Sequence, residues 1–412
     1  MNWFKQFYQV WRRECYLAFT DVGVLIFFFL LPLAYPVIYT IIYNPEVVTD
    51  VPAVVVDHDR SAASRDFVRT IDATQGIHVI GYAADMAEAR EAMATKKCYS
   101  VFEIPADYGR LIGGGRQATV SLYQDMSLLV RYRQVLFSIT GVQQYETLAV
   151  TAERVATNGG GLVTMVSGLP IGTQANIAGN PSQGFASFII PGIVILILQQ
   201  GMLMGITMLA GTRRDRRRRD SLHHVDATDL GYGATVTVLG RAACYFTLYL
   251  PMAYFVMAIV PPMFELPQMG SPKDYMPFIM VMLLATAFLG QTIQIFVRER
   301  ETSMVLIVFT SVIFLFLSGL TWPRYAFSPF WKAVSDLVPA TWGVQGFVHI
   351  NSNGASLADV KDLLWPLWAL TGAYFVTAVL LRHFTRPSRE ETALAREEWQ
   401  AEMDRDEVHA DA

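Results

Sequence analysis

Apolar residues gather in six blocks along the chain: Val22–Ile42, Phe185–Ala210, Ala242–Val260, Tyr275–Val297, Ser303–Leu320 and Leu363–Leu381. None of them holds a Lys, Arg, Asp or Glu. A bilayer core about 30 Å thick needs roughly 17 to 25 apolar helical residues, because backbone groups in lipid must bond within their own helix. One charge at mid-bilayer costs about 2.5 to 3.5 kcal/mol, so six uncharged windows between charged connections predict six transmembrane helices. Basic residues flank them unevenly: Lys5, Arg12 and Arg13 precede the first block, and Arg213, Arg214, Arg216, Arg217, Arg218 and Arg219 follow the second. Arg298 to Thr302 and the tail from Arg382 fall on the same side, whereas Pro261–Asp274 and Thr321–Asp362 hold few basic residues. Both termini are therefore expected in the cytoplasm. The first block is too long for a cleaved signal, contains Pro32 and Pro36, and lacks a small-x-small site, so it reads as an anchor.

Between the first two blocks the pattern changes. Val51–Val56, Ile77–Ile80, Tyr99–Ile104 and Ala118–Tyr123 read as strands. Helical spacing of Phe67 with Ile71, and of Met86, Ala89 and Met93, separates them, and Pro105 suits the first position of a further helix. This alternation predicts a small α/β domain. From Ser127 to Thr157 a long helix presents Leu128, Tyr132, Val135, Ile139, Val142, Ala149 and Ala152 on one face, either as a stalk on a partner or packed on its own domain. Asn158–Gly184, with seven glycines, Pro170 and Pro181, reads as a connection. The expected fold is an α-helical integral membrane protein of six transmembrane helices with an α/β extracytoplasmic domain inserted between the first and second. The expected layout is residues 1–21, an amphipathic cytoplasmic helix; 22–42, the first span; 43–184, the external domain with its long helix and Gly-rich connection; 185–385, five spans with short loops; and 386–412, an acidic tail.

Composition agrees with the membrane reading: 53% of residues are hydrophobic and only 17% charged, against roughly 25% in soluble chains. A net charge of −4 argues against a nucleic-acid partner. Cys15, Cys98 and Cys244 are too dispersed for a disulfide framework or a metal pair. Phe4, Phe7, Tyr8, Trp11, Cys15, Ala18 and Phe19 recur at helical spacing, which predicts an amphipathic helix along the inner leaflet that either anchors the chain or receives force. The arginine run after the second span has three readings: a topology signal, a binder of anionic lipid, or a contact for an acidic patch on a motor subunit. Arg298, Glu299, Arg300 and Glu301 form a short loop able to dock into a groove. Ser388 and Glu391 make a capping box at the start of the acidic tail.

No GxxxxGK[ST], HExxH or Gly-x-Ser-x-Gly stretch is present, no span carries carboxylates to relay protons, and the adjacent His223 and His224 diverge on a helix. No catalytic residue, metal site or cofactor is predicted. The spans instead hold uncharged polarity: Gln199 and Gln200 beside Gly201 and Gly205 in a small-xxx-small pattern, Gln291 and Gln294 on one face of the fourth, and Thr310 and Ser311 in the fifth. Amides in hydrocarbon need partners, so these residues line a substrate path or join helices, with Gly201 and Gly205 as packing positions.

The order of elements resembles the permease subunits of type 2 ATP-binding cassette exporters, in the drug and lipid export branch. Leu31-Pro32-Leu33, Val54-Val55-Val56-Asp57 through Ser61 and Ser64-Arg65, Ile104-Pro105-Ala106-Asp107-Tyr108 and Ser318-Gly319-Leu320-Thr321-Trp322-Pro323 carry the resemblance, continued by Pro329, Val338-Pro339-Ala340-Thr341 and Gly354. One departure stands out. Where that family carries Glu-Arg-Glu followed by Gly-Thr after the second span, Gly211-Thr212 here precedes the arginine run. The resemblance implies a separate cytoplasmic ATPase that binds the ATP, and a second permease copy or paralogue. It places the subunit, with both termini cytoplasmic, in the lipid of a bacterial plasma (inner) membrane, with room for a periplasmic adaptor. It implies that the ATPase pushes on the N-terminal helix at Trp11, on Gly211–Leu230 with Arg213, Arg214, Arg216 and Arg217, and on Arg298–Thr302. An amphipathic or lipid-like molecule would then pass between helices two and five. A non-transporting scaffold or sensor, whose external domain binds a ligand or an envelope protein, is the alternative.

Overall fold

A computed structural model describes residues 2–43, 45–114, 116–158, 180, 184–219, 232–297 and 299–385, without the side chains of 151, 153–158 and 216–219. The chain divides into two compact units: Met1–Asn44 with Ala178–Pro181 and Ala186–Ala412, and Pro45–Ile177 with Ser182–Phe185.

Among its described residues the first unit holds six helices long and apolar enough to cross a membrane: Val22–Tyr43, Phe185–Asp215, Ala234–Met263, Pro272–Phe296, Arg300–Leu317 and Lys361–Phe384, here spans one to six. Each overlaps a predicted block, but charged residues shift the ends. Span three starts at Ala234 rather than Ala242, so Arg241 lies inside the helix. Span five starts at Arg300 rather than Ser303, which makes Arg300 and Glu301 part of its first turn instead of a docking loop. Span two continues helically to Arg219, about 50 Å at 1.5 Å per residue, so its last turns outrun a 30 Å core and replace the loop expected after Ala210. Span one opens on Asp21, whose Oδ1 accepts the N–H groups of Gly23 and Val24 at 3.0 and 3.2 Å. Its Leu25–Leu30 stretch is wound as a π-helix.

Spans two and four form the centre, with 72% and 67% of their most apolar windows buried, against 17% to 22% for spans one, five and six. The outer spans therefore present apolar faces, such as Val305, Phe309, Val312 and Phe316 of span five, where lipid imposes no cost. Close approaches at the centre depend on glycine. A Cβ on Gly205 would stand 1.7 Å from Phe28 of span one, and one on Gly201 would stand 2.4 Å from Pro32. Between spans five and six the chain forms two further helices, Pro329–Asp336 and Pro339–Asn353, where the sequence reading expected only loop. The second is buried along Ala340, Thr341, Val344, Phe347 and Ile350 and ends on Gly354, whose φ of 70° favours glycine. Arg324 secures this connection by pairing with Asp336 and lying 4.4 Å from the centre of the Trp342 ring.

The second unit is built on a four-stranded sheet of order β2-β1-β3-β4, with β1 Val51–Asp57, β2 Ile77–Tyr82, β3 Ser100–Ile104 and β4 Ser121–Gln124. β1 runs parallel to β2 and β3, and β4 is antiparallel to β3. Helices Ala62–Asp72 and Met86–Ala94 connect the parallel strands, as buried β-branched runs with helical crossovers require. Pro105 does not open a helix: the next one starts at Tyr108, three residues on. The long helix, Leu129–Asn158, sets Val135 and Val142 into this unit's core with Val55, Phe67, Ile71 and Phe102. Its Glu146 accepts a hydrogen bond from Thr70 at 2.9 Å. That face packs on its own unit, where it shares one core with the inner face of helix Ala62–Asp72.

Candidate functional site

The strongest polar feature of the helical unit is a buried charge network at one end of the bundle. It starts in the N-terminal helix, Trp3–Thr20, whose buried face comprises Val10, Arg13, Glu14 and Ala18. An acid on that face, 1% exposed, is affordable only with partners. Glu14 has three: Arg213 of span two forms an ion pair with it, Arg241 of span three stands 3.5 Å away, and the Tyr245 hydroxyl donates to it. Trp11 adds a hydrogen bond to Thr247 at 3.1 Å, and the Tyr232 hydroxyl donates to Gln9. The helix is thus held along two turns to spans two and three. Breaking such a pair by removing one partner costs on the order of 3–5 kcal/mol, since a charge stays buried.

A second group of contacts joins spans one, two and five at the same end. Asp21 is the hub: Arg300 pairs with Oδ1 at 2.8 Å and the Thr212 hydroxyl donates to Oδ2 at 3.0 Å. The Arg300 backbone N–H donates to Asp215 at 3.0 Å, which caps the start of span five. Gly211 permits this approach, because a Cβ there would stand 2.8 Å from the Arg300 Cα. Thr20, Asp21, Gly23, Thr212, Asp215, Arg300 and Glu301 line an open polar cleft of about 460 Å³. Nearby, Arg214 donates to the carbonyls of Ile295 and Val297 at the end of span four.

The predicted coupling residues therefore fall into separate environments. Trp11, Arg213, Arg214 and Arg300 are engaged within the bundle rather than presented as an exposed basic strip, and Glu301 lines the cleft. Glu299 precedes the first turn of span five. Arg298, the side chains of Arg216 and Arg217, His223, His224, the Gly-rich connection 159–179 and the tail with Ser388 and Glu391 lie outside the described residues. Sequence reading missed Glu14, Asp21, Asp215 and Arg241. The visible signal for Glu14 was its place four residues from Val10 and from Ala18, an acid on the apolar face.

The polar residues predicted within the spans occupy separate environments. Gln199 is fully buried, and its Oε1 accepts the Ala340 N–H at 2.7 Å, satisfying an orphan donor at the start of Pro339–Asn353. Gln291 donates to the Val238 carbonyl at 3.2 Å and so joins spans four and three. Thr310 bonds to carbonyls of its own helix, and Ser311 to Val308 on the exposed face of span five. Gln294 sits in the 3₁₀ turn ending span four. Gln200 has both amide atoms buried with no hydrogen-bond partner among the described residues. Gly201 and Gly205 receive Pro32 and Phe28. Among the described residues no group of three His, Cys, Asp or Glu side chains is placed to hold a metal.

Six membrane-capable helices organised around buried charge pairs define a multi-pass helical membrane protein. Residues 22–381 match the family described as ABC-2 family transporter protein, and the chain belongs to that family. It is a transmembrane permease subunit, and membership implies partnership with a cytoplasmic ATP-binding cassette ATPase. No curated relative matches the chain.

Proposed function

We propose that this subunit exports an amphipathic or lipid-like molecule from the cytoplasm or inner leaflet, driven by ATP hydrolysis on its partner, with the N-terminal helix as the element that receives the stroke. The observation that carries this reading is the Glu14 network. A helix pinned through one buried carboxylate to spans two and three cannot be pushed without moving both. The Asp21–Arg300 pair and the Thr207–Ser303 hydroxyl contact, 2.7 Å, extend the same connection to span five. Movement of the N-terminal helix is thereby conveyed to the two helices between which the substrate passes. In this reading the charged end faces the cytoplasm, as do both termini, the sheet unit lies outside, and the protein resides in a bacterial inner membrane with a second permease copy or paralogue. Gln199 and Gln291 serve as helix joints through one amide atom each, and Gln200, with neither amide atom bonded among the described residues, is the candidate to meet a substrate.

The test is reconstitution of the subunit with its ATPase in vesicles. Glu14→Gln is expected to assemble with the ATPase yet lose most substrate-stimulated hydrolysis and export, with Glu14→Asp restoring a large part. Full stimulation in Glu14→Gln would remove the lever role. No stimulation of the wild-type complex by any amphiphile would favour the scaffold reading instead.

A further inference from the structure

Two of the three cysteines meet, although 229 positions separate them in sequence. The Sγ atoms of Cys15, on the N-terminal helix, and Cys244, on span three, stand 2.8 Å apart, and both are free thiols. The contact is held from both sides. Trp11 bonds to Thr247, while Glu14, adjacent to Cys15, engages Arg241 and Tyr245 on either side of Cys244. A disulfide needs about 2.05 Å between sulfurs, so a small shift of either side chain closes the distance. Cys15 is only partly buried and open to a small oxidant, whereas Cys244 is buried behind it. Cys98 is buried in the sheet unit with no second cysteine.

We propose that Cys15 and Cys244 form a peroxide-responsive thiol pair whose oxidation to a disulfide clamps the N-terminal helix to span three. The Cys15 thiolate attacks one oxygen of hydrogen peroxide. The O–O bond breaks, and the leaving hydroxide takes up the thiol proton as water, which leaves Cys15 as a sulfenic acid. The Cys244 sulfur then attacks the Cys15 sulfur and the S–O bond breaks. The hydroxyl departs as a second water with the Cys244 proton. Two thiols lose two electrons and one peroxide is reduced to two waters. The hydrogen bond from Cys244 holds the Cys15 thiol below its ordinary pKa, against opposing effects of burial and Glu14, which favours the attacking form. A reducing cytoplasm keeps the pair open and makes the bond transient. The effect on transport rests on the lever reading, since a covalent clamp removes the freedom of the helix to move against span three.

The chemistry is tested on full-length protein in native membranes, treated with hydrogen peroxide, denatured, alkylated and digested without reductant. The expected product is a Cys15 peptide joined to a Cys244 peptide, two hydrogens lighter than their sum, with Cys98 still alkylated and dithiothreitol restoring all three thiols. Cys15→Ser should leave Cys244 alkylatable after peroxide, and Cys244→Ser should let Cys15 proceed to sulfinic acid. Wild-type Cys15 reaching sulfinic acid while Cys244 remains alkylatable would overturn the pairing. So would three intact thiols at a peroxide dose that oxidises Cys15 in Cys244→Ser. In the complex with its ATPase, oxidation should lower stimulated hydrolysis several-fold in wild type, reversibly, and leave Cys15→Ser unchanged. A formed disulfide with undiminished hydrolysis would overturn the clamp. The peptide readout needs neither ATPase nor substrate, so its failure is distinguishable from failure of the lever reading.

Discussion

Gln199 illustrates how a single polar side chain in a membrane helix acquires its role from a neighbour. Its Oε1 accepts the Ala340 N–H, one of the donors that the first turn of Pro339–Asn353 cannot satisfy internally. Leucine at this site fills a similar volume but leaves that donor buried without its acceptor, at a cost of about 1–3 kcal/mol. Gln199→Leu is therefore expected to lower the thermal unfolding midpoint of the detergent-solubilised protein. An unchanged midpoint in Gln199→Leu would show that another group serves Ala340. Arg241 teaches a related lesson. Its charge marks the end of an apolar block in sequence, yet it lies 3% exposed within span three because Glu14 stands opposite. A sequence window counts the charge and cannot see the partner from a distant helix.

At the level of elements, span two meets spans one, three and five through small residues. Gly205 receives Phe28, and Gly211 receives the backbone of Arg300. A Cβ at the first site would displace a side chain, and one at the second a backbone. Gly211→Ala should therefore separate spans two and five and weaken the Arg300–Asp215 cap, while Gly205→Ala should displace Phe28 of span one and leave the approach of spans two and five in place. Cysteine crosslinking between Thr212→Cys and Glu301→Cys reads the difference: efficient in the Gly205→Ala background, and reduced in the Gly211→Ala background. Equal crosslinking in both would mean that the approach does not depend on the missing Cβ. The small-xxx-small pattern at Gly201 and Gly205 was readable in sequence, but the role of Gly211 was not, because its partner enters from 89 positions away.

For the whole molecule, the two units set a test of orientation. Tyr145 lies on the outward side of the long helix, 64% exposed. If the sheet unit is external, Tyr145→Cys should react with a membrane-impermeant maleimide in intact cells. Reaction only after the membrane is opened would reverse the orientation and, with it, the lever at the charged end.

Much of this architecture follows from local chemistry. Six uncharged apolar runs must be spanning helices, since no other backbone conformation satisfies its own hydrogen bonds in hydrocarbon, and alternating strand and helix periods predict an α/β unit. What the tertiary structure alone decided is which polar groups within those helices are occupied. Gln199 and Gln291 each bond to the backbone of another helix, the first arginines of the run turned inward to Glu14 and to span four, and two cysteines 229 apart came into contact. The physical reason is that periodicity is a property of neighbours along the chain. The cost of a buried charge or amide is instead settled by whichever partner the fold carries across the bundle.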